Sequence, residues 1–332
     1  MPYTLLPQWP KTYPETHARG SLKLHNADFR VIELPLALPS GEGEHIWLQV
    51  KKDGANTAYV AQCLADYAGV KENDVGYAGL KDRYAITEQW FSIYFPKGET
   101  PDFLKLAHDE FTVLAQSRHV KKLRRGDLLG NQFDIILRDV EGDKESIESN
   151  LMQIQQHGIP NYFGPQRFGR DGGNVEQGFL MLTRETRVRH QKNKGIYLSA
   201  VRSFVFNEIL AERINNGLWG KPLEGDMLDE QGMATGALWG RGRITTTAAA
   251  ADLENTIAKQ HADLCEGMEH AGLTQERRAL AAIPKNMTWQ WLDETTLQLA
   301  FSLSAGYYAT SVMREILDAQ EPDRFSQPTL SM

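Results

Sequence analysis

Apolar and polar residues alternate along several short stretches of this chain, and those stretches read as strands. Phe29, Val31 and Glu33 alternate with Arg30 and Ile32, and residues 45–50 form a second β-rich run. A polar, glycine-rich turn at residues 39–44 separates them. The period then changes. Val60, Leu64 and Tyr67 fall at helical spacing, Asn56 or Thr57 can cap the helix, and Gly69 can end it. Residues 87–95 have the β-branched and aromatic content of a buried strand, and residues 131–140 alternate again, with Phe133, Ile135 and Leu137 on one face.

A second helix is predicted from near Asp143 to a stop at Gly158, with Ile147, Leu151 and Ile154 aligned. Residues 158–169 hold three glycines and two prolines, so they read as loop. Helical spacing returns over residues 198–215 and 247–258, and a terminal helix is predicted over roughly residues 310–319. Between the last two, Leu297, Leu299, Phe301 and Leu303 alternate with polar or small residues, as in a half-buried antiparallel strand. Strand-rich ends around a helix- and loop-rich middle predict an α+β protein in which a second domain interrupts the first. There is no internal repeat and no low-complexity tract.

The length, 332 residues, agrees with two domains. Apolar residues make up 41% and charged residues 24%, which excludes a disordered chain, a fibrous repeat and a disulfide-built miniprotein. The net charge of −7 argues against a general polyanion binder, so a nucleic-acid site must be a local basic patch on an acidic body. Two cysteines, Cys63 and Cys265, neither require a disulfide nor complete a zinc site. No apolar run is long enough for a membrane span, and residues 1–17 lack the pattern of a secretory signal. The expectation is a soluble, cytoplasmic protein without a membrane partner.

The segment Gly79-Leu-Lys-Asp-Arg-Tyr-Ala-Ile-Thr-Glu-Gln-Trp90 places three consecutive charges between two β-rich runs. Asp82 is then either a carboxylate projected from a sheet, kept ionised by Lys81 and Arg83 and ready to act as nucleophile or base, or part of a solvated turn. The loop at 158–169 has two readings as well. Tyr162, Phe163, Phe168, Arg167 and Asn161 either offer rings and donors to single-stranded nucleic acid or fill a domain junction. Basic clusters at residues 118–125 and 184–194 are phosphate contacts or solvated faces. No nucleotide-binding glycine loop, H-E-x-x-H or paired C-x-x-C occurs, and the nine histidines show no ligand spacing. Neither a cofactor nor a metal is therefore expected.

These segments, in this order, resemble the tRNA pseudouridine synthase D (TruD) family. The resemblance rests on Gly20-Ser-Leu-Lys23 with Asp28-Phe-Arg-Val-Ile-Glu33, on Gly79 to Trp90, on Arg124 to Phe133, on Pro160 to Gly169 and on Ala305-Gly-Tyr-Tyr-Ala-Thr-Ser311. Its most specific blocks are K-D-x-x-A-x-T-x-Q, from Lys81, and N-Y-F-G-x-Q-R-F-G, from Asn161. The resemblance implies a catalytic domain of residues 1–155 plus 287–332, built on a mainly antiparallel sheet, with an inserted α/β TRUD domain over 156–286 and tRNA bound between the lobes. It implies cofactor-free isomerisation of uridine 13 to pseudouridine, with Asp82 as the catalytic aspartate. Phe29, Asn131 and Tyr308 resemble residues that contact the target nucleotide, Phe133 the ring against the base, and Lys23 a basic residue lining the pocket. Arg167 joins them as a substrate-binding residue, and the partner is tRNA, taken up by a monomer. Tyr308 stands where the family leads us to expect Phe, so its hydroxyl needs a partner if buried.

One ionised carboxylate suffices for this chemistry by adding covalently to sugar or base, or by taking the 2′ proton, and the sequence does not choose among these routes. The target base must be flipped out of the folded tRNA, and Phe133 can stack on it. Two alternatives belong to other classes. A glycoside or nucleoside hydrolase needs a second carboxylate, for which Glu88 is the nearest acidic residue but sits at a strand start, facing away. A non-catalytic RNA-binding protein leaves the charged Asp82 loop without purpose.

Overall fold

The alternating stretches form strands in the computed structural model, which describes residues 6–323. In chain order, β1 (Arg19–Leu22), β2 (Phe29–Pro35) and β3 (His45–Asp53) precede α1 (Thr57–Ala68), β4 (Val75–Tyr77), β5 (Ile86–Tyr94), β6 (Phe111–His119) and β7 (Leu128–Glu141). Then come α2 (Lys144–His157), β8 (Ile159–Pro160), α3 (Gly173–Leu182), α4 (Gln191–Asn215), β9 (Thr235–Leu238), α5 (Ala248–Gln260) and α6 (Ala262–His270). The remainder is β10 (Glu276–Ala279), β11 (Ala281–Ala282), β12 (Lys285–Trp291), β13 (Leu297–Ser304), α7 (Ala309–Ile316) and β14 (Asp318–Gln320). Among the described residues no helix is long and apolar enough to cross a membrane.

Packing divides the described chain into two units. The first comprises His17–Ile147, Pro284–Tyr307 and residues 317–323. It is built on one sheet with the central order β12-β13-β7-β2-β5-β3-β6, to which β1, β14 and β4 add at the margins. Among the described residues of this sheet, β2–β5 and β1–β14 pair in parallel and the other pairs are antiparallel. The fold is α+β on a mainly antiparallel sheet, as the strand texture predicts.

Register fixes which residues share a face. Val31 pairs with Phe133 on one side and Thr87 on the other, and Thr87 pairs with Lys52. Side chains alternate along a strand, so Phe29, Val31, Glu33, Lys52, Thr87, Asn131 and Phe133 lie on one face. Ile32, Lys51, Glu88 and Gln132 lie on the other. Helix α1 packs Val60, Ala61 and Leu64 against Ile46, Leu48, Val50, Phe91 and Ile93, and burying each large aliphatic group is worth about 1.5–3 kcal/mol. Its ends follow the sequence signals: the Asn56 side chain accepts from Tyr59 N at 2.8 Å, and Gly69 adopts the left-handed conformation at φ 68°.

The second unit comprises residues 6–16, Glu148–Ile283 and Tyr308–Ile316. Helix α4 forms its centre, with Val201, Phe204, Val205, Phe206 and Ile209 buried against α3, α5 and α6, and two short ribbons, β9–β10 and β8–β11, complete it. Two of the predicted helices differ in extent from the sequence reading. Helix α4 starts at Gln191 rather than 198, because a polar N-terminal stretch continues the helix beyond its apolar stripe. Helix α7 stops at Ile316, and the chain that follows pairs with β1 as β14 instead of continuing to 319. That pairing partner lies some 300 residues upstream, so no local pattern signals it.

Candidate active site

Asp82 lies in the loop between β4 and β5, and the turn from β3 into α1 holds that loop in place. Thr57 Oγ1 accepts from Lys81 N at 3.0 Å and donates to Gln89 Oε1 at 2.9 Å. Lys52 Nζ donates to the main-chain oxygen of Asp82 at 3.0 Å, and Arg83 Nε donates to Gly54 O at 2.9 Å. Three consecutive loop residues are thus tied to residues 52–57.

The carboxylate is engaged on both oxygens. Oδ1 accepts from Tyr84 N at 3.0 Å, and Oδ2 accepts from Lys23 Nζ at 2.6 Å. Burial pushes the Asp82 carboxyl upward, but the Lys23 bond and charge, the Tyr84 N–H and the charge of Lys52 outweigh it. The net effect holds Asp82 below the usual carboxylate range, ionised at neutral pH. Its side chain keeps 32% exposure, so a ligand can reach it.

The cations on the carboxylate are not the chain neighbours that adjacency suggests. Lys81 Nζ is 2.5 Å from Glu33 Oε2, and Arg83 serves the Gly54 carbonyl. The chain neighbours of Asp82 are thus committed to other partners. Lys23, 59 positions away, does the pairing. It is 3% exposed and adopts φ 57°, a left-handed backbone uncommon outside glycine. Its second partner is Glu321, at 2.8 Å. Burial lowers the Lys23 pKa, while the hydrogen bonds and charges of Asp82 and Glu321 raise it further than burial lowers it.

Lys23 also joins the carboxylate to an aromatic floor. Its Nζ lies 4.8 Å from the centre of the Phe29 ring. Phe29 meets Phe133 edge-on with ring centres 6.2 Å apart, and Phe133 meets Phe301 at 5.4 Å. All three rings are buried. Two residues from Phe133 on the same face, the Asn131 Oδ1 is buried and has no hydrogen-bond partner among the described residues. A buried acceptor without a partner calls for a ligand or water to satisfy it. Glu88 occupies the opposite face, where it accepts from Gln49 Nε2 at 3.3 Å.

Tyr308 and Arg167 belong to the second unit, and there they meet. Arg167 Nη2 donates to the Tyr308 hydroxyl at 3.2 Å, and Nη1 donates to Ser199 Oγ at 3.0 Å. The extra hydroxyl at 308 therefore has its partner. Of the two readings of the 158–169 loop, its rings favour packing: Tyr162, Phe163 and Phe168 are buried in the helical core, with Phe163 edge-on to Phe206 at 5.5 Å. Asn161 is buried as well, bonding Ala279 O at 2.7 Å and Arg278 at 2.6 Å.

The basic clusters divide by residue. Arg118 is spent on the Phe95 and Gly43 carbonyls, whereas Arg124 and Arg125 are exposed beside a groove of about 340 Å³ that Tyr77 and Lys122 also line. Arg125 stacks on Tyr77 with its guanidinium 4.3 Å from the ring centre. Gly126 N donates to Ala78 O at 2.9 Å, joining this segment to the start of the Asp82 loop. Arg187, Arg189 and Lys192 are exposed around the start of α4.

Sequence reasoning missed Lys52, Glu33 and Glu321 near Asp82. For Lys52 a signal was available. Ile46, Leu48 and Val50 occupy the buried phase of β3, and Lys52 falls on that same phase.

The family profile for tRNA pseudouridine synthase D (TruD) matches residues 12–188. A tRNA pseudouridine synthase D from Hydrogenovibrio crunogenus is 40% identical over 324 residues, covering 91% of this chain and 94% of that protein. One from Aeromonas hydrophila is 43% identical over 329 residues, covering 92% and 93%. A solved structure from Methanosarcina mazei, described as a candidate TruD, superposes with a TM-score of 0.70 at 22% identity, covering 95% of this chain and 96% of that one; it speaks for the fold. With the profile matching more than half its length and relatives of at least 40% identity spanning nine-tenths of it, the chain belongs to the tRNA pseudouridine synthase D family.

Proposed function

We propose that this protein isomerises uridine 13 of tRNA to pseudouridine without a cofactor, acting as a monomer in the cytoplasm, with Asp82 as its catalytic carboxylate. The observation that carries the reading is the Lys23–Asp82 pair, an ionised and reachable carboxylate set beside the Phe29–Phe133 rings. Its catalytic part is assigned to residues 1–155 and 287–332, with 156–286 inserted. Phe29, Asn131 and Phe133 on the strands of one sheet, with Lys23 and Asp82 in loops beside them, support that assignment.

In the reaction the N1–C1′ bond breaks, the base turns and C5 joins C1′. C5 loses a proton and N1 gains one, so atoms balance without oxidant or co-substrate. Asp82 either adds to the sugar or base, or takes the 2′ proton. Lys23 keeps the carboxylate ionised and aimed. Phe133 stacks on the flipped base, and Asn131 Oδ1 accepts a base N–H. Phe29 backs the Phe133 ring, and Tyr308 and Arg167 are assigned as further contacts of the nucleotide. The carboxylates near Asp82 among the described residues are otherwise committed: Glu88 is on the other face, both oxygens of Glu33 are engaged, by Lys81 at 2.5 Å and Trp90 N at 3.1 Å, and Glu321 is paired with Lys23 at 2.8 Å.

The test is single-turnover conversion on saturating tRNA, with the modified position mapped. Asp82→Asn, which keeps shape but removes charge and nucleophilicity, should abolish pseudouridine formation while tRNA binding persists. Turnover by Asp82→Asn, or release of free uracil by the unaltered protein, would overturn the reading.

A further inference from the structure

We propose that Lys52 is a positioning residue of this site: its buried amino group holds the main chain at Asp82 and thereby fixes where the carboxylate stands. The inference rests on the assignment of Asp82 as the catalytic group and adds to it a second lysine with a different task.

Lys52 is 0% exposed, among the largest fully buried side chains of the protein. Its Nζ donates to two main-chain carbonyls, Ala55 O at 2.8 Å and Asp82 O at 3.0 Å. Both bonds are local in effect, because Ala55 belongs to the turn that also ties Lys81 and Arg83. Of the three ties between this turn and the loop, the one from Lys52 reaches Asp82 itself. Lys23 then acts from the other end of the residue, on Oδ2. One cation holds the backbone and the other the side chain.

Packing alone does not account for a lysine here. Burying an amino group is costly, and methionine would fill similar volume on the apolar phase of β3 without that cost. Burial pushes the Lys52 pKa down to about 8; Asp82 opposes the shift and Lys81 adds to it. Its strand neighbours, Thr87 on β5 and Phe111 on β6, carry no charge. Two carbonyl acceptors suit both the ammonium and the neutral amine, so the tie survives deprotonation while the electrostatic effect on Asp82 does not. Misplacement of a reacting group by about 1 Å can cost ~10²-fold in rate, so a loop held at this point matters to the chemistry.

The experiment is Lys52→Met in the full chain, followed by single-turnover rate, tRNA KM and pH profile. The expected result is a rate at saturating tRNA lowered tenfold or more, with KM for tRNA within twofold of the unaltered protein. The acid limb of the profile should also move upward, because a charge that helps keep Asp82 ionised has gone. A purely structural lysine would leave that limb in place. An unchanged rate per folded molecule overturns the proposal. Should Lys52→Met fail to fold, an NMR titration of the Lys52 side chain in the unaltered protein and in Asp82→Asn decides instead. Removing the carboxylate should lower the Lys52 pKa, and an identical pKa in both proteins overturns the coupling. The two assignments fail separately: turnover by Asp82→Asn removes the catalytic reading, whereas an inactive Asp82→Asn beside a fully active Lys52→Met removes only the positioning role.

Discussion

The ammonium of Lys23, almost wholly buried, lies 2.6 Å from Oδ2 of Asp82. Each partner moves the other's titration. Asp82 is held below its unfolded value of about 3.9, so its share of stability is present above about pH 4 and is lost as pH falls through the folded value. Lys23 is raised above about 10.4, so its share is present below that pH and is lost as pH rises through its folded value. The pair stabilises the fold from about pH 4 to 10. Lys23→Met should move the acid limb of the single-turnover profile upward and cost about 1–3 kcal/mol of stability, since Asp82 and Glu321 both lose a charged partner. An acid limb that stays put would show that Lys23 is not what keeps Asp82 ionised.

Asn131 offers a cleaner separation of binding from folding. Its Oδ1 has no partner to lose, so Asn131→Ala should leave thermal stability nearly unchanged. If that oxygen accepts a base N–H, kcat/KM should fall by about tenfold, roughly one neutral hydrogen bond. Unaltered kinetics would place the acceptor outside the reaction.

Phe133 packs against two other rings and is proposed to stack on the base, and two substitutions divide these roles. Phe133→Ala removes a ring packed against Phe29 and Phe301 and should cost about 3–5 kcal/mol of stability. Phe133→Leu should fold well yet forfeit about 1–3 kcal/mol of base stacking. Thermal unfolding with single-turnover kinetics on the same samples tells them apart. Full activity per folded molecule in Phe133→Leu would make the ring a core side chain only.

The arginines are predicted to differ by location. Replacing exposed Arg187, Arg189 and Lys192 with Ala should weaken tRNA binding and flatten its salt dependence, by ~0.7–0.9 in slope for each phosphate left without its cation. The rate on bound tRNA should hold. Arg118→Ala should instead lower the melting temperature with little change in salt slope, because that guanidinium is committed to carbonyls. Equal salt slopes for all variants would make the 184–194 cluster a solvated face.

How far the sequence reveals this molecule depends on how local each feature is. Helix α1 was legible at both ends because Asn56 and Gly69 act within one turn of it. The alternation of β2, β7 and β13 was legible because period two survives whatever the partner strand. Strand β14 was not, since its partner β1 is about 300 residues distant. The environment of Asp82 divides in the same way. Its place on a loop between strands follows from composition, but its cations do not follow from adjacency. Lys81 and Arg83 turn aside to Glu33 and Gly54, and the contacts come from Lys23, which the family resemblance points to, and from Lys52, which the tertiary fold brings near. The 158–169 loop shows the limit from the other side: its aromatic content was plain, but whether the rings faced ligand or core depended on α4 packing over them.

Strand β13 inserts beside β7 along its whole length, with Phe301 opposite Phe133, although about 155 residues of chain separate the two strands. During synthesis β7 therefore leaves the ribosome long before the strand that covers its edge. For that interval the nascent chain presents an unpaired edge bearing Phe133, Ile135 and Leu137, and the aromatic floor lacks one of its three rings. The three-ring floor cannot be completed on a partial chain, and the exposure of that edge to misassociation is greatest after β7 has emerged and before β13 has. A chaperone that engages nascent chains should accordingly find its best binding window there, and release should coincide with the emergence of β13.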